Sequence, residues 1–382
     1  MEEHLTDKSE KKVEYLELIY DLIFVYLIGK NNALLHHMEG GFFSAATFFT
    51  YLLASLVILQ IWYFSTLLIN RYGSNGVSDH IGLFVNMYLL YYLANGIRRD
   101  WDEYYIPYNA AWGLILVNLA VQYWLRQRRS HGMTPWADRH MKYHMRLLLI
   151  QAAVVLGSIP VYLLLHIPLS WLSLLVGFAA AVLTSRVDAL MPVNFEHLTE
   201  RVMLYIVFSF GEMIIAIAEY FGDGFSGQTL YFSLMAFLIV TGLFLSYGFL
   251  YNHIIDRERS STTGTQYMMI HIGLIVSLSC ITAALEFMRE PEVNEIAKNV
   301  FLVASFLAYY FFLFLVGTYA MPGFRADRRY IAVIAGAAAV FVVCMALSYR
   351  SGRASIAVSV LFVYAVFGMI VRRYRAVTRS AV

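Results

Sequence analysis

Apolar runs of about twenty residues recur along the chain, separated by short polar breaks. They cover approximately 13–30, 42–69, 79–97, 105–125, 145–166, 168–186, 197–220, 229–252, 266–288, 299–320, 330–348 and 354–372. A helix of roughly 20 apolar residues crosses the hydrocarbon core of a bilayer, so the pattern predicts about twelve transmembrane helices. The runs are too long for the strands of an outer-membrane barrel, which are about ten residues of strict alternation. The expected fold class is therefore all-α, a polytopic helical bundle. Residues 1–12 are charged, and no short apolar run with a cleavage site follows them, so the first span is expected to stay in the mature chain.

The pattern also repeats. Residues 14–70 align with 196–252 without a gap, matching Glu14 with Glu196, Leu16 with Leu198, Gly29 with Gly211, Phe43-Ser44 with Phe225-Ser226, Thr47 with Thr229 and Asn70 with Asn252. At a slightly larger offset His80-Ile81-Gly82-Leu83 returns as His271-Ile272-Gly273-Leu274. The expected layout is an N-terminal segment at 1–12, a first six-helix repeat at 13–186, a linker at 187–195, a second six-helix repeat at 196–373 and a tail at 374–382. Because six is even, the halves share one orientation, the parallel kind of repeat found in transporters.

Composition agrees with this reading. Hydrophobic residues make up 60% of the 382 positions and charged residues 14%, against about 25% charged in soluble domains. The net charge of +2 says little, but its placement says more. Starting the chain inside puts 21 of the 28 Lys and Arg residues on the cytoplasmic side, most densely at Arg126, Arg128, Arg129, Arg139, Lys142 and Arg146. Both termini are thus expected in the cytoplasm. With no soluble domain to present them, these clusters point to anionic lipid headgroups and not to nucleic acid. Cys280 and Cys344 fall inside apolar spans and read as small buried residues. Trp101, Tyr104, Tyr105 and Tyr108 gather at a span end, as an interfacial belt would.

Charges inside the spans are the candidate chemistry. At about 100° per residue, Glu14, Glu17 and Asp21 share one face of the first helix. In the seventh span His197, Arg201, Glu212 and Glu219 fall within about 60° of one another, with Glu200 beside them. Eleven residues separate Arg201 from Glu212, about 16 Å of rise. Glu212 is therefore expected past the midplane, with His197 and Arg201 near the cytoplasmic surface. The repeat aligns Lys30 with Glu212, and an ion pair between them is one expectation; snorkelling of Lys30 at an early helix end is the other. The Glu17, Asp21, Glu200 and Arg201 set reads either as an ion-pair network fastening the first and seventh helices or as part of a proton or cation path. His80 and His271 form a symmetric pair, interior histidines or members of that path, and Glu286 is an outer-end acid or gate. Arg186 and Asp188 are expected to pair locally.

Other motifs lack their context. Gly222-Asp223-Gly224-Phe225-Ser226-Gly227 fits a dinucleotide-binding pattern but follows a membrane helix with no strand before it. His140 and His144 are four apart in the basic connection without the Glu that a metalloprotease helix needs, and they read as an amphipathic loop helix. No cofactor and no metal site is expected.

Glu17-Leu18-Ile19-Tyr20-Asp21-Leu22-Ile23-Phe24-Val25 resembles the opening E-L-F-F-D-L-V-F-V signature of the bacterial low temperature requirement A (LtrA) family. His197-Leu198-Thr199-Glu200-Arg201, with Leu204 and Gly211-Glu212 downstream, resembles its second signature, H-x-x-E-R followed by L-G-E. The resemblance spans essentially the whole chain, with Ile-Tyr for Phe-Phe and Phe-Gly-Glu for Leu-Gly-Glu. It implies a polytopic protein of the bacterial inner membrane and brings no defined activity. A fainter similarity is to the lysosomal-type potassium and proton channels, built from six-helix units, whose F-S-D motif would fall on Ile19-Tyr20-Asp21 and share only the Asp. That analogy implies a homodimer. The leading functional expectation is transport of a proton, cation or small solute along an axis lined by the first and seventh helices. The alternatives are an enzyme acting on a lipid or isoprenoid carrier, with His197 and Glu200 or His80 as acid and base, and a protein that senses or binds the membrane state.

Overall fold

A computed structural model describes residues 12–38, 40–96, 101–129, 134–183, 185–259 and 262–380. The described residues are all-α. The helices are α1 (Tyr15–Asn32), α2 (Ala45–Tyr72), α3 (Val77–Asn95), α4 (Trp101–Arg129), α5 (Pro135–Leu165), α6 (Trp171–Leu183), the single turn α7 (Ser185–Asp188), α8 (Phe195–Ala218), α9 (Gly227–His253), α10 (Thr265–Arg289), α11 (Glu295–Val316), α12 (Arg328–Ser348) and α13 (Gly352–Ser380). Apart from α7, each falls on one predicted span. The residues expected as a C-terminal tail continue α13 as far as Ser380, and the expected N-terminal segment lies outside the described residues except for its last position.

Among the described residues, nine helices are long and apolar enough to cross a membrane: α1, α2, α5 and α8 to α13. The three others expected to cross are α3, α4 and α6. Helix α6 is short. Helices α3 and α4 are long but interrupted by buried polar side chains, Asp79 and Asn86 on one and Asn109, Gln122 and Arg126 on the other. Two polar pairs bridge the α3–α4 contact. Arg126 Nη2 lies 2.9 Å from Asp79 Oδ1, and Asn118 Nδ2 donates to Asn86 Oδ1 at 2.7 Å. Pairing makes such polarity tolerable in an apolar interior.

The sequence put the basic residues in a connection between spans, with an amphipathic loop helix at His140 and His144, and the structure instead extends α4 and α5 into that connection. Helix α4 runs on to Arg129, and α5 begins at Pro135 behind Thr134, whose hydroxyl accepts from Ala137 N. Pro at the first helical position with a Thr cap is a strong start signal that outweighs the polar composition of this stretch. Lys142 then pairs with Asp138 one turn away at 2.8 Å.

The chain divides into two compact units, residues 1–34, 49–205 and 257–268 in the first and 35–48, 206–256 and 269–382 in the second. The first unit is cored by Trp62, Trp112, Tyr20, Tyr105 and Phe24, all essentially buried. The second is built on aromatic clusters, one of Phe42, Phe43, Phe48, Phe287 and Phe301, and another in which Phe341 and Phe362 stack with ring centroids 4.1 Å apart. Helix α12 exposes Val333, Val340, Val343 and Leu347, the last 83% accessible. An apolar face of this kind suits hydrocarbon and not water.

Two aligned sequence features recur as structure. Ser44 Oγ accepts from Thr47 N at 3.2 Å at the start of α2, and Ser226 Oγ accepts from Thr229 N at 3.1 Å at the start of α9. Gly82 on α3 lets Gln122 of α4 approach, and Gly273 on α10 lets Phe312 of α11 approach, so closely that a Cβ at either glycine would collide with the neighbour.

Candidate functional site

Four of the sequence-predicted residues meet in the first unit. Glu17 and Asp21, one turn apart on α1, face His197 and Arg201, one turn apart at the start of α8. Arg201 is fully buried. Its Nε donates to Asp21 Oδ2 at 2.9 Å, Nη2 to Asp21 Oδ1 at 2.8 Å and Nη1 to Glu17 Oε2 at 2.9 Å. The guanidinium thus grips Asp21 with a two-pronged fork and spends a third donor on Glu17, the geometry in which Arg outperforms Lys. Both carboxylates also lie in the first two turns of α1, where the helix dipole favours negative charge.

Two residues that sequence reasoning missed complete the cluster, both from α2. Trp62 Nε1 donates to Asp21 Oδ1 at 3.0 Å. Asn70 Oδ1 accepts from Asn194 N at 2.9 Å, which turns its Nδ2 toward His197 Nδ1 at 3.1 Å. Because Nδ1 accepts, the imidazole proton sits on Nε2, which faces Glu17 Oε2 at 3.6 Å. The position of Asn70 in the repeat, matched to Asn252, was a signal for this residue; nothing local marked Trp62.

Counting charges, two carboxylates face one guanidinium. The His197 Nε2–H beside Glu17 is the group available to answer the excess negative charge. Breaking such a buried set by removing one partner is costly, so it fixes α1 against α8 whatever else it does.

The other candidates lie elsewhere. Glu14 is the N-cap of α1 with an extended backbone, so the helical angle count does not extend to it, and its carboxylate accepts from Asn75 Nδ2 at 2.9 Å near the surface. Glu200 is half-buried and His80 half-buried at the start of α3; neither side chain has an ion pair or hydrogen bond among the described residues. Lys30 is exposed, with Nζ 5.7 Å from the Tyr26 ring centroid. The expected Arg186–Asp188 pair falls on a side chain, that of Arg186, outside the described residues; among the described residues the Asp188 carboxylate receives Nε2 of His140 and of His144 at 2.9 and 3.0 Å. Burial would raise the Asp188 carboxyl, but these two hydrogen bonds and the Arg71 guanidinium outweigh it and hold the group below the ordinary carboxylate range.

In the second unit Glu286 pairs with His36 at 2.7 Å, Glu290 lies 3.8 Å from the same ring, and His271 is buried with its Nε2 3.3 Å from the Tyr247 hydroxyl. Glu212 is half-buried on α8 in this unit. The negative charges of Glu286 and Glu219 act on it, and no cation pairs with it among the described residues.

Nine apolar membrane-length helices among the described residues, with a buried charge cluster between two of them, define an integral membrane protein of the helical class. A family model, Bacterial low temperature requirement A protein (LtrA), matches residues 12–366, nearly the whole chain, and the protein belongs to that family. Searches of curated proteins and of solved structures return no match, and nothing in them supports the fainter similarity to lysosomal-type channels.

Proposed function

We propose that this LtrA-family membrane protein transports a proton, a cation or a small solute across the bacterial inner membrane. The observation that carries the reading is Glu212. It is a carboxylate within an apolar span, half-buried, without a cationic partner among the described residues, and under the influence of two further acids. An acid left in that position is expensive, and within membrane spans such groups mark ion and proton pathways. In this proposal Glu212, Glu286 and His36 bind and release the transported species, and Glu219 adds to the negative potential. Glu17, Asp21, His197 and Arg201 hold the other end of α8 in place, with His197 beside the excess carboxylate.

The proposal includes all twelve predicted spans as crossings, in two parallel six-helix repeats with cytoplasmic termini. The Ser–Thr caps of α2 and α9 and the close-packed glycines of α3 and α10 support the repeat.

The test is flux into proteoliposomes containing the purified protein, read with a pH-sensitive dye and with a potassium-sensitive dye, for the wild type, Glu212→Gln and Asp21→Asn. The wild type should exceed protein-free vesicles, and Glu212→Gln should lose at least about tenfold of that flux while keeping wild-type helicity and monodispersity. Equal flux in the wild type and in both variants would overturn the assignment of this path.

A further inference from the structure

Away from Glu212 and from the α1–α8 cluster, the first unit holds a second buried constellation. His140 and His144, at i and i+4, lie on one face of α5 and turn toward Asp188 on α7, and all three residues are buried. Both Nε2 atoms address the same carboxylate oxygen, Oδ1, and the ligand atoms the three residues offer lie within 4.8 Å of one another. We propose that His140, His144 and Asp188 form a binding site for a divalent transition metal of the Zn2+ type.

The donor set fits. Two imidazoles and one carboxylate are ligands that suit zinc and its neighbours, not the all-oxygen shell of Mg2+ or Ca2+. An ion with bonds of about 2.0–2.2 Å holds its tetrahedral ligands roughly 3.3–3.6 Å apart. The present separations of 2.9 and 3.0 Å to Asp188 therefore need to open by only a few tenths of an ångström. Without metal, each Nε2–H donates to Asp188. With metal, each Nε2 presents its lone pair and the proton sits on Nδ1, a tautomer change that alters no net charge on the ring.

The surroundings are arranged for that second state as well. His140 Nδ1 faces the Tyr72 hydroxyl at 2.8 Å, and the hydroxyl can either donate to it or accept from it. A second partner of this kind sets the tautomer and orientation of a ligating histidine. His144 is stacked on Tyr123, with centroids 5.7 Å apart and an interplanar angle of 13°, so its ring direction is fixed.

Arg71 limits the geometry. Its Nε and Nη2 are tied to the carbonyls of Met191 and Thr263, both at 3.0 Å, and Nη1 stands 3.3 Å from Asp188 Oδ1. The cation must therefore sit on the histidine side of the carboxylate, away from the guanidinium. Three protein ligands leave the fourth position to water or a solute.

Sequence pattern alone dismissed this site, because His140-Met141-Lys142-Tyr143-His144 lacks the Glu of a metalloprotease helix. The third ligand comes instead from a residue 44 positions later.

The experiment uses the full-length protein in detergent, stripped with a chelator and then titrated with Zn2+ and, separately, with Co2+. The wild type should retain one metal per chain after dialysis, unfold at a higher temperature with Zn2+, and give the visible absorption bands of tetrahedral Co2+. His144→Ala and Asp188→Asn should bind at least tenfold more weakly and lose the Co2+ bands, whereas His37→Ala, a substitution at an exposed histidine, should not. Where a substituted chain fails to fold, the wild type decides by itself. Absence of both the Zn2+-dependent rise in unfolding temperature and the Co2+ bands overturns the site, as does unchanged binding in a folded His144→Ala protein.

Discussion

Removing Arg201 is the most informative single perturbation of this protein. The guanidinium is fully buried and makes three charge-assisted hydrogen bonds, two to Asp21 and one to Glu17, at 2.8 to 2.9 Å. Arg201→Met keeps much of the side-chain volume and leaves two carboxylates facing each other without a cation. Stripping one partner from a buried ion pair costs about 3–5 kcal/mol. Against a total stability of roughly 5–15 kcal/mol, that is a large fraction. Asp21→Asn should cost less, about 1.5–3 kcal/mol, because Arg201 keeps Glu17. If the two residues act through each other, the double variant is less destabilised than the sum of the singles. Groups in one hydrogen-bonded network show a coupling of about 0.5–3 kcal/mol, and two of the three bonds of Arg201 run to Asp21, so a value above about 1 kcal/mol is expected. The measurement is reversible unfolding in mixed micelles of wild type, both single variants and the double variant. Additive losses, with a coupling under about 0.5 kcal/mol, would refute the view that this pair fastens α1 to α8. Arg201→Lys sharpens the test, since an ammonium cannot reproduce the fork and should recover only part of the loss.

Two further expectations concern the repeat. Ser44→Ala and Ser226→Ala each remove a helix cap of the same geometry and should each cost about 1 kcal/mol in the same unfolding assay; losses that differ by more than about twofold would show that the matched caps are not equivalent. Gly82→Val and Gly273→Val each force a Cβ into a neighbouring helix, against the Gln122 amide in one case and the Phe312 ring in the other. Overpacking of that kind costs typically about 1–3 kcal/mol, and wild-type stability in both would argue against close helix contact there.

Helix positions were legible because membrane spans announce themselves by length and apolarity, a local property. The α4–α5 connection was misread for the same reason. Arg126, Arg139, Lys142 and Arg146 look like loop by composition, while the Thr134-Pro135 start signal and the Arg126–Asp79 pair keep the polar stretch helical. Glu200, read as a member of the ion-pair set, makes no bond in the cluster among the described residues, and His197 takes its place; Glu17, Asp21 and Arg201 were readable together because they stand at helical spacing on α1 and at the start of α8. Glu14 was not, since an N-cap with extended backbone does not obey that spacing.

The sequence by itself determined that this is an all-helical membrane chain and which helix faces carry charge. Those are consequences of periodicity and hydrophobicity within one segment. Only the tertiary structure decided which charges meet. Trp62 and Asn70 reach the α1–α8 cluster from α2, and Asp188 collects His140, His144 and Arg71 from two other helices. Partnerships between residues tens to hundreds of positions apart depend on how helices pack, and no local pattern encodes them.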